Sequence, residues 1–162
     1  MSELEKLIEK LQLIPHPEGG YYKETFRSND TVKIERENTN HSRNTLTSIY
    51  YLLSGKDKSH FHKIKSDEIW YHHSGCDVLI HIITNDGELK TEKLGPNGNH
   101  QVVVTKEQWF AAELVNKNEF ALVGCAVAPG FDFSDFTLGS RNELIKSFPQ
   151  HKEVIEKFTR SE

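Results

Sequence analysis

SHFHKIKSDEIWYHHSG, Ser59 to Gly75, is the densest polar cluster in the chain, and its alternation decides the fold. Successive side chains on a strand face opposite ways. His60 and His62 therefore share one face. After a turn near Lys65–Asp67, Glu68, Trp70 and His72 share a face of the next strand. If the two strands pair as a hairpin, His60, His62 and Glu68 converge. Two imidazoles and a carboxylate form a set suited to Fe(II), Mn(II), Ni(II) or Zn(II). The same set suits a polar ligand, or acid–base work at neutral pH, where imidazole titrates. A His-x-His pair is equally compatible with an exposed polar strand face.

Outward from this cluster the strand texture continues. Segments rich in β-branched and aromatic residues run at Tyr21–Phe26, Leu46–Leu53, His60–Ile64, Glu68–His73, Val78–Thr84, Leu89–Lys93, Gln101–Thr105, Phe110–Leu114 and Phe120–Val127. Turn residues separate them: Ser54-Gly55, Ser74-Gly75, Asp86-Gly87, Gly95-Pro96-Asn97-Gly98 and the stretch Asn116–Asn118. Asn85-Asp86-Gly87 between two strands is a hairpin signal. Many short strands about ten residues apart predict an all-β sandwich or barrel, not β-α units. Asn29–Asn44 is polar and reads as a long loop. Leu4, Leu7, Ile8, Leu11 and Ile14 fall on one helical face. Ser2 and Glu5 supply a capping box, and Pro15 and Pro17 stop the helix. Two short helices near Ser140–Ser147 and His151–Phe158 close the chain.

Composition sets the outer limits. With 162 residues the chain reads as one domain, 1–162, long enough to bury a core. Hydrophobic residues at 36% and charged residues at 27% exclude a disordered chain. A net charge of -4 without a basic block argues against nucleic acid. No apolar run is long enough to span a bilayer, and the acidic N-terminus is unlike a signal peptide, so a cytoplasmic location is expected. Cys76 and Cys125 sit in apolar strands without CxxC spacing and read as buried free thiols.

The spacing Gly55-x4-His60-x-His62-x5-Glu68-x6-Gly75 resembles the first motif of the cupin superfamily, G-x5-H-x-H-x3–4-E-x6-G. Its last interval matches, its first is one residue short, and the interval from His62 to Glu68 is one or two long. Further blocks resemble one branch of small single-domain cupins of largely unassigned function. They are PHPEGGYYKETFRS at Pro15–Ser28, SDEIWYHHSG at Ser66–Gly75, Leu94-Gly95, QWFAAEL at Gln108–Leu114 and VAPGFDFSDF at Val127–Phe136. The resemblance implies a double-stranded β-helix, that is, a cupin or jelly-roll barrel with an N-terminal helix and short C-terminal helices. It also implies a homodimer and one deep pocket, but no agreed reaction. The second cupin motif, which carries a third metal-binding histidine, is altered. Trp109-Phe110 occupy the histidine position, Thr105 replaces a proline, and Lys106-Glu107 stand at a turn usually made of small residues.

Trp109 and Phe110 suggest instead an aromatic wall for a sugar or planar ring. The N-terminal block adds His16, Glu18, Tyr22, Glu24 and Arg27, unusually polar for a packed segment. By a period of two, Tyr22, Glu24 and Phe26 share a face. Arg27 and Arg43 suit an anionic group, although Glu24 could equally serve a structural ion pair. One of Tyr50 and Tyr51 should face inward, and Tyr50 is carried as a candidate. Asp132 and Asp135 read as turn and cap residues. Phe131, Phe133 and Phe136 are expected to close the barrel end. The site expected from sequence is thus His60, His62, Glu68, Trp70, His72, Tyr22, Glu24, Arg27, Arg43, Tyr50, Trp109 and Phe110. His62 and Glu68 are its catalytic candidates, and His60, His62 and Glu68 its metal candidates. Three functions fit: binding of a small polar or anionic, sugar- or nucleotide-like metabolite; a metal-independent sugar-nucleotide epimerase or isomerase with a histidine base; or a metal-dependent isomerase or oxygenase.

Overall fold

Two antiparallel sheets face each other across a shared apolar interior in the computed structural model, which describes residues 1–161. The first sheet holds β1 (Ile14–Pro15), β2 (Tyr21–Arg27), β5 (Thr47–Ser54), β12 (Phe120–Ala128), β7 (Asp67–Gly75) and β10 (Gln101–Val104), side by side in that order. The second holds β13 (Thr137–Leu138), β6 (Lys58–Lys63), β11 (Trp109–Leu114), β8 (Val78–Ile83) and β9 (Leu89–Leu94). Consecutive strands such as β6 and β7 lie in opposite sheets, the weave of a jelly roll.

Alternation drives the sandwich together. Tyr51, Leu53, Trp70, Ile80, Ile82, Phe110, Leu114 and Val123 point inward from both sheets and form the main core. Helices cover both outer faces. The helix α1 (Glu3–Leu11) lays Leu4, Leu7, Ile8 and Leu11 against Leu52 and Leu122 of the first sheet. Its Ser2–Glu5 capping box forms as the sequence predicts, and Gln12 ends it in a left-handed turn. The helices α2 (Arg141–Ser147) and α3 (Lys152–Lys157) bury Leu144, Ile155 and Phe158 against Phe61, Ile83 and Ala111 of the second sheet. No helix among the described residues is long and apolar enough to cross a membrane.

Two expectations fail here. The polar stretch Asn29–Asn44 is not a loop but a hairpin of β3 (Thr31–Arg36) and β4 (Thr39–Asn44). Its two-residue turn is Glu37-Asn38, both at positive φ, the conformation that matches strand twist. Few of its side chains face the core, so it carries little hydrophobic alternation to read. Second, β6 and β7 do not form a hairpin: β6 pairs with β11 and β13, and β7 with β12 and β10.

Candidate functional site

The first sheet presents its inner face as a grid set by strand register. One row crosses Arg27, Thr47, Val127 and Glu68; the next crosses Glu24, Ile49, Cys125 and Trp70; a third begins with Tyr22 and Tyr51. These residues line a cavity of about 500 Å³ inside the barrel. His62 and Ile64 close it from the opposite side, His16 and Glu18 from the loop before β2, and Phe131, Asp132, Phe133 and Phe136 from the segment after β12. His62 and Glu68 do meet, as the sequence suggests, but across the sandwich and not within a hairpin.

Bulges in β6 and β2 redirect side chains that strict alternation would send into the cavity. Between its pairings with Phe110 and Ala112, β6 advances three residues while β11 advances two. Ser59 and His62 thereby both turn inward, and Phe61 turns out beneath α3. His60 is excluded with it: its Nδ1–H donates to the Glu18 carbonyl at 2.7 Å, and its backbone N–H to the same oxygen at 2.9 Å. It pins the Pro15–Gly20 loop and does not line the pocket. A bulge at Thr25 breaks the Tyr22–Glu24–Phe26 alternation, so Phe26 faces solvent. A third, in β7, follows His72, whose Nε2 lies 3.2 Å from the Cys76 carbonyl, beyond the cavity.

The remaining candidates divide. Tyr22, Glu24, Arg27, His62, Glu68 and Trp70 line the cavity. Tyr50 does not; it packs outside against His73, and Tyr51 is the inward tyrosine, donating its hydroxyl to the Gly19 carbonyl. Trp109 and Phe110 face opposite ways, as neighbours on a strand must. Phe110 lies behind His62, ring centroids 4.1 Å apart, and Trp109 sits outside under Lys63, lining a separate open groove. Arg43 is spent on Asp135, both guanidinium contacts at 2.8 Å, and Arg36 reaches the same carboxylate at 2.7 Å. Asp135 is therefore a buried anchor tying the hairpin to the Phe131–Phe136 segment. Arg27 pairs with Glu24 at 2.6 Å and also donates to Asn44 and the Phe131 carbonyl. The structural ion pair weighed for Glu24 is thus present, at the pocket mouth.

The residue that organises the site is Glu18, visible in the sequence as an odd acid but not assigned a role there. His16-Pro17-Glu18-Gly19-Gly20 forms a tight loop closed by His16 N–H to Gly20 O at 2.9 Å and Gly19 N–H to His16 O at 3.1 Å. Gly19 has φ +118, and a Cβ there would overlap the Lys58 carbonyl, so the loop can lie on β6 only with glycine. Arg160 holds Pro17 from above. The loop drops the Glu18 side chain, 5% exposed, into the barrel beside Ser59.

Hydrogen-bond roles then fix protonation. His62 Nδ1 lies 2.8 Å from the His60 carbonyl, an acceptor only, so Nδ1 carries a proton. His62 Nε2 lies 2.8 Å from Glu18 Oε2, and a second proton sits between them. Burial works against a charged imidazole, but the Glu18 carboxylate outweighs it and raises the His62 pKa. Burial would likewise raise Glu18, yet His62 holds it below the usual carboxylate range. The pair is imidazolium and carboxylate, and His62 keeps no free lone pair. His16 is different: its Nδ1 accepts from the Glu18 backbone N–H at 3.1 Å, so its 3.8 Å approach to the Glu18 carboxylate is not an ion pair. Burial lowers its pKa, consistent with a neutral ring.

Glu68 has the opposite environment. It is 8% exposed, and no cation lies within ion-pairing distance of it among the described residues. Burial pushes its carboxyl up to about 7, with the Glu18 charge adding to the rise and His62 only partly offsetting it. Beside it the Cys125 thiol is pushed well above its ordinary pKa by burial, which makes it a poor nucleophile.

Comparison with known proteins places this barrel. The model of the family Cupin_5, described as cupin superfamily (DUF985), matches residues 5–139. The chain belongs to the cupin superfamily. It is 37% identical over 168 residues to the uncharacterized protein YML079W of Saccharomyces cerevisiae, covering 88% of this chain and 79% of that one. The solved structure of protein SO0799 from Shewanella oneidensis is 37% identical with a TM-score of 0.88, covering all of both chains. A hypothetical protein from Leishmania major is 31% identical with a TM-score of 0.90, covering 99% of this chain and all of the other. Oxalate decarboxylase from Bacillus subtilis, at 15% identity and a TM-score of 0.58, covers 91% of this chain and 37% of its own, and shares the fold alone.

The metal that the first cupin motif implies does not fit these side chains. His60 faces out of the barrel, both His62 nitrogens are engaged, and Phe110 fills the space behind His62. Among the described residues no three His, Cys, Asp or Glu side chains converge to hold a metal ion.

Proposed function

We propose that the cupin barrel binds a small, partly planar polar molecule and that Glu68 is the group that exchanges a proton with it. The observation carrying this reading is the divergence of two buried carboxyls in one cavity. Glu18 is ionised and locked to His62, while Glu68 lacks an ion-pair partner and its carboxyl is pushed up to about 7 by burial. Such divergence is how paired acids acquire separate acid–base roles. The cavity is of metabolite size, with aromatic and aliphatic walls interrupted by a cluster of charged and polar side chains that includes Glu18, His62 and Glu68, which suits a small polar molecule. A histidine base is disfavoured because His62 has no free nitrogen; its imidazolium is suited to stabilising negative charge, and Glu18 to orienting it. At the mouth Arg27 is already paired with Glu24 and Asp132 adds a further carboxylate, which favours a polar neutral ligand over an anionic one.

Native mass spectrometry of untagged protein from its own cells, with elemental analysis of the same sample, tests the reading. The expected result is a stoichiometric organic mass that is displaced or weakened by Glu68→Leu. Stoichiometric transition metal lost on His60→Ala would overturn it.

A further inference from the structure

The chemical class of the ligand can be read from one open hydrogen-bond donor, given the reading of the cavity as a binding pocket. Trp70 is 1% exposed, lines the cavity, and its Nε1–H has no hydrogen-bond partner. Leaving a buried donor unmet is unfavourable, and native interiors rarely do so. The ring is fixed by edge contacts to Tyr51 and Phe110, centroids 5.8 and 6.3 Å away, so it cannot swing to find an acceptor. Its N–H faces the Glu68 carboxyl without reaching hydrogen-bond geometry. Glu68 stands two residues earlier on the same face of β7 and is without an ion-pair partner. The cavity therefore shows a fixed donor next to a carboxylate acceptor. A ligand edge that complements both carries an acceptor beside a donor. Tyr22, Phe131, Phe133 and Phe136 line the same cavity and give it ring faces and edges suited to a flat molecule.

We infer that the ligand is a planar heterocycle with a lactam edge, its carbonyl oxygen accepting from Trp70 Nε1–H and its ring N–H donating to the Glu68 carboxylate. A neutral lactam also suits a mouth whose arginine is already paired with Glu24. Binding through this edge strengthens as pH rises and Glu68 ionises.

The experiment is an indole ¹⁵N–¹H spectrum of the full chain, which contains two tryptophans. Trp109 lies outside the barrel and serves as internal control. The probes are 2-pyridone, which carries the whole edge, N-methyl-2-pyridone, which lacks its donor, and benzene, which lacks both groups. The expected result is a saturable downfield shift of the Trp70 signal with 2-pyridone and none at Trp109. N-methyl-2-pyridone should bind about tenfold or more weakly, a difference of about 1.4 kcal/mol. Glu68→Gln, whose amide oxygen still accepts, should retain 2-pyridone binding but lose its pH dependence, and Trp70→Phe should weaken it about tenfold. The methylated probe decides the matter without any substitution, should Trp70→Phe fail to fold. Equal binding of all three probes overturns the inference. So does a Trp70 signal that stays still while Ile49, Ile64 and Val127 methyl signals move, which would leave the pocket reading intact. Absence of any 2-pyridone binding at millimolar concentration also overturns it, and the native mass spectrum then judges the pocket separately.

Discussion

Replacing Glu68 by Gln removes one ionisable group from the cavity and keeps its shape. In the wild type the folded-state carboxyl is raised from 4.5 to about 7, so between these values the native state binds a proton that the unfolded chain has released. Stability must therefore fall as pH rises through this window and level off above it. At about 1.4 kcal/mol per pH unit, the difference between variant and wild type grows by about 2–3 kcal/mol from pH 5 to pH 8. The full shift corresponds to about 3 kcal/mol. The sign is specific: the variant gains on the wild type at high pH, the reverse of what loss of a salt-bridged carboxylate would do. Urea unfolding of both proteins at pH 5, 6, 7 and 8, at one ionic strength, reads this directly. Parallel stability curves within about 0.5 kcal/mol, well below the error-free expectation from linkage, would refute the reasoning, because Glu68 would then titrate as an exposed acid.

Glu18→Ala leaves the His62 imidazolium buried and unpaired and should destabilise the protein by about 3–5 kcal/mol at pH 6, read by urea unfolding. The depressed Glu18 pKa contributes stability present above pH 4.5 and lost as pH falls through its lower folded value. The raised His62 pKa contributes stability present below 6.5 and lost as pH climbs through its higher folded value. The pair is thus worth most between these limits, and a Glu18→Ala penalty that grows outside them would contradict it. Gly19→Ala forces a Cβ against the Lys58 carbonyl at φ +118; it should lower stability by about 1–3 kcal/mol and move the His62 titration toward 6.5 as Glu18 is displaced. Asp135→Asn frees Arg36 and Arg43 and should speed hydrogen exchange in β3, β4 and the Phe131–Phe136 segment, leaving α1 unchanged.

The barrel was legible because its short strands are rich in β-branched and aromatic residues and are punctuated by Gly, Asn and Asp turns. All nine expected strands form, with ends shifted by a residue or two. The Asn29–Asn44 hairpin was not legible, because a hairpin held away from the core by Arg36 and Arg43 needs no apolar face. Convergence of His62 with Glu68 was read correctly from the wrong pairing: facing sheets bring together what a hairpin would also bring together. The misplaced candidates have several causes. A bulge flips later side chains to the other face, and bulges at β2 and β6 removed Phe26 and His60, whereas His72 keeps its register with Trp70 and lies beyond the end of the cavity. Tyr50, Trp109 and Phe110 show the limit of a period of two, which says that neighbours differ but not which one faces in. Glu18 was hidden because its position depends on a loop geometry; Pro-His-Pro-Glu-Gly-Gly announced a turn, though not where the acid between them would point. His81, on β8, finds its partners within the chain in Glu113 and Thr91.

The most direct measurement is a carboxyl ¹³C titration of glutamate-labelled protein from pH 4 to pH 9, with Glu68→Gln and Glu18→Gln to assign the two buried signals. Glu68 should titrate near 7, with Glu18 remaining ionised below the usual carboxylate range. Reversed assignments, or a Glu68 midpoint near 4.5, would contradict the division of labour between the locked Glu18–His62 pair and a free proton-exchanging Glu68.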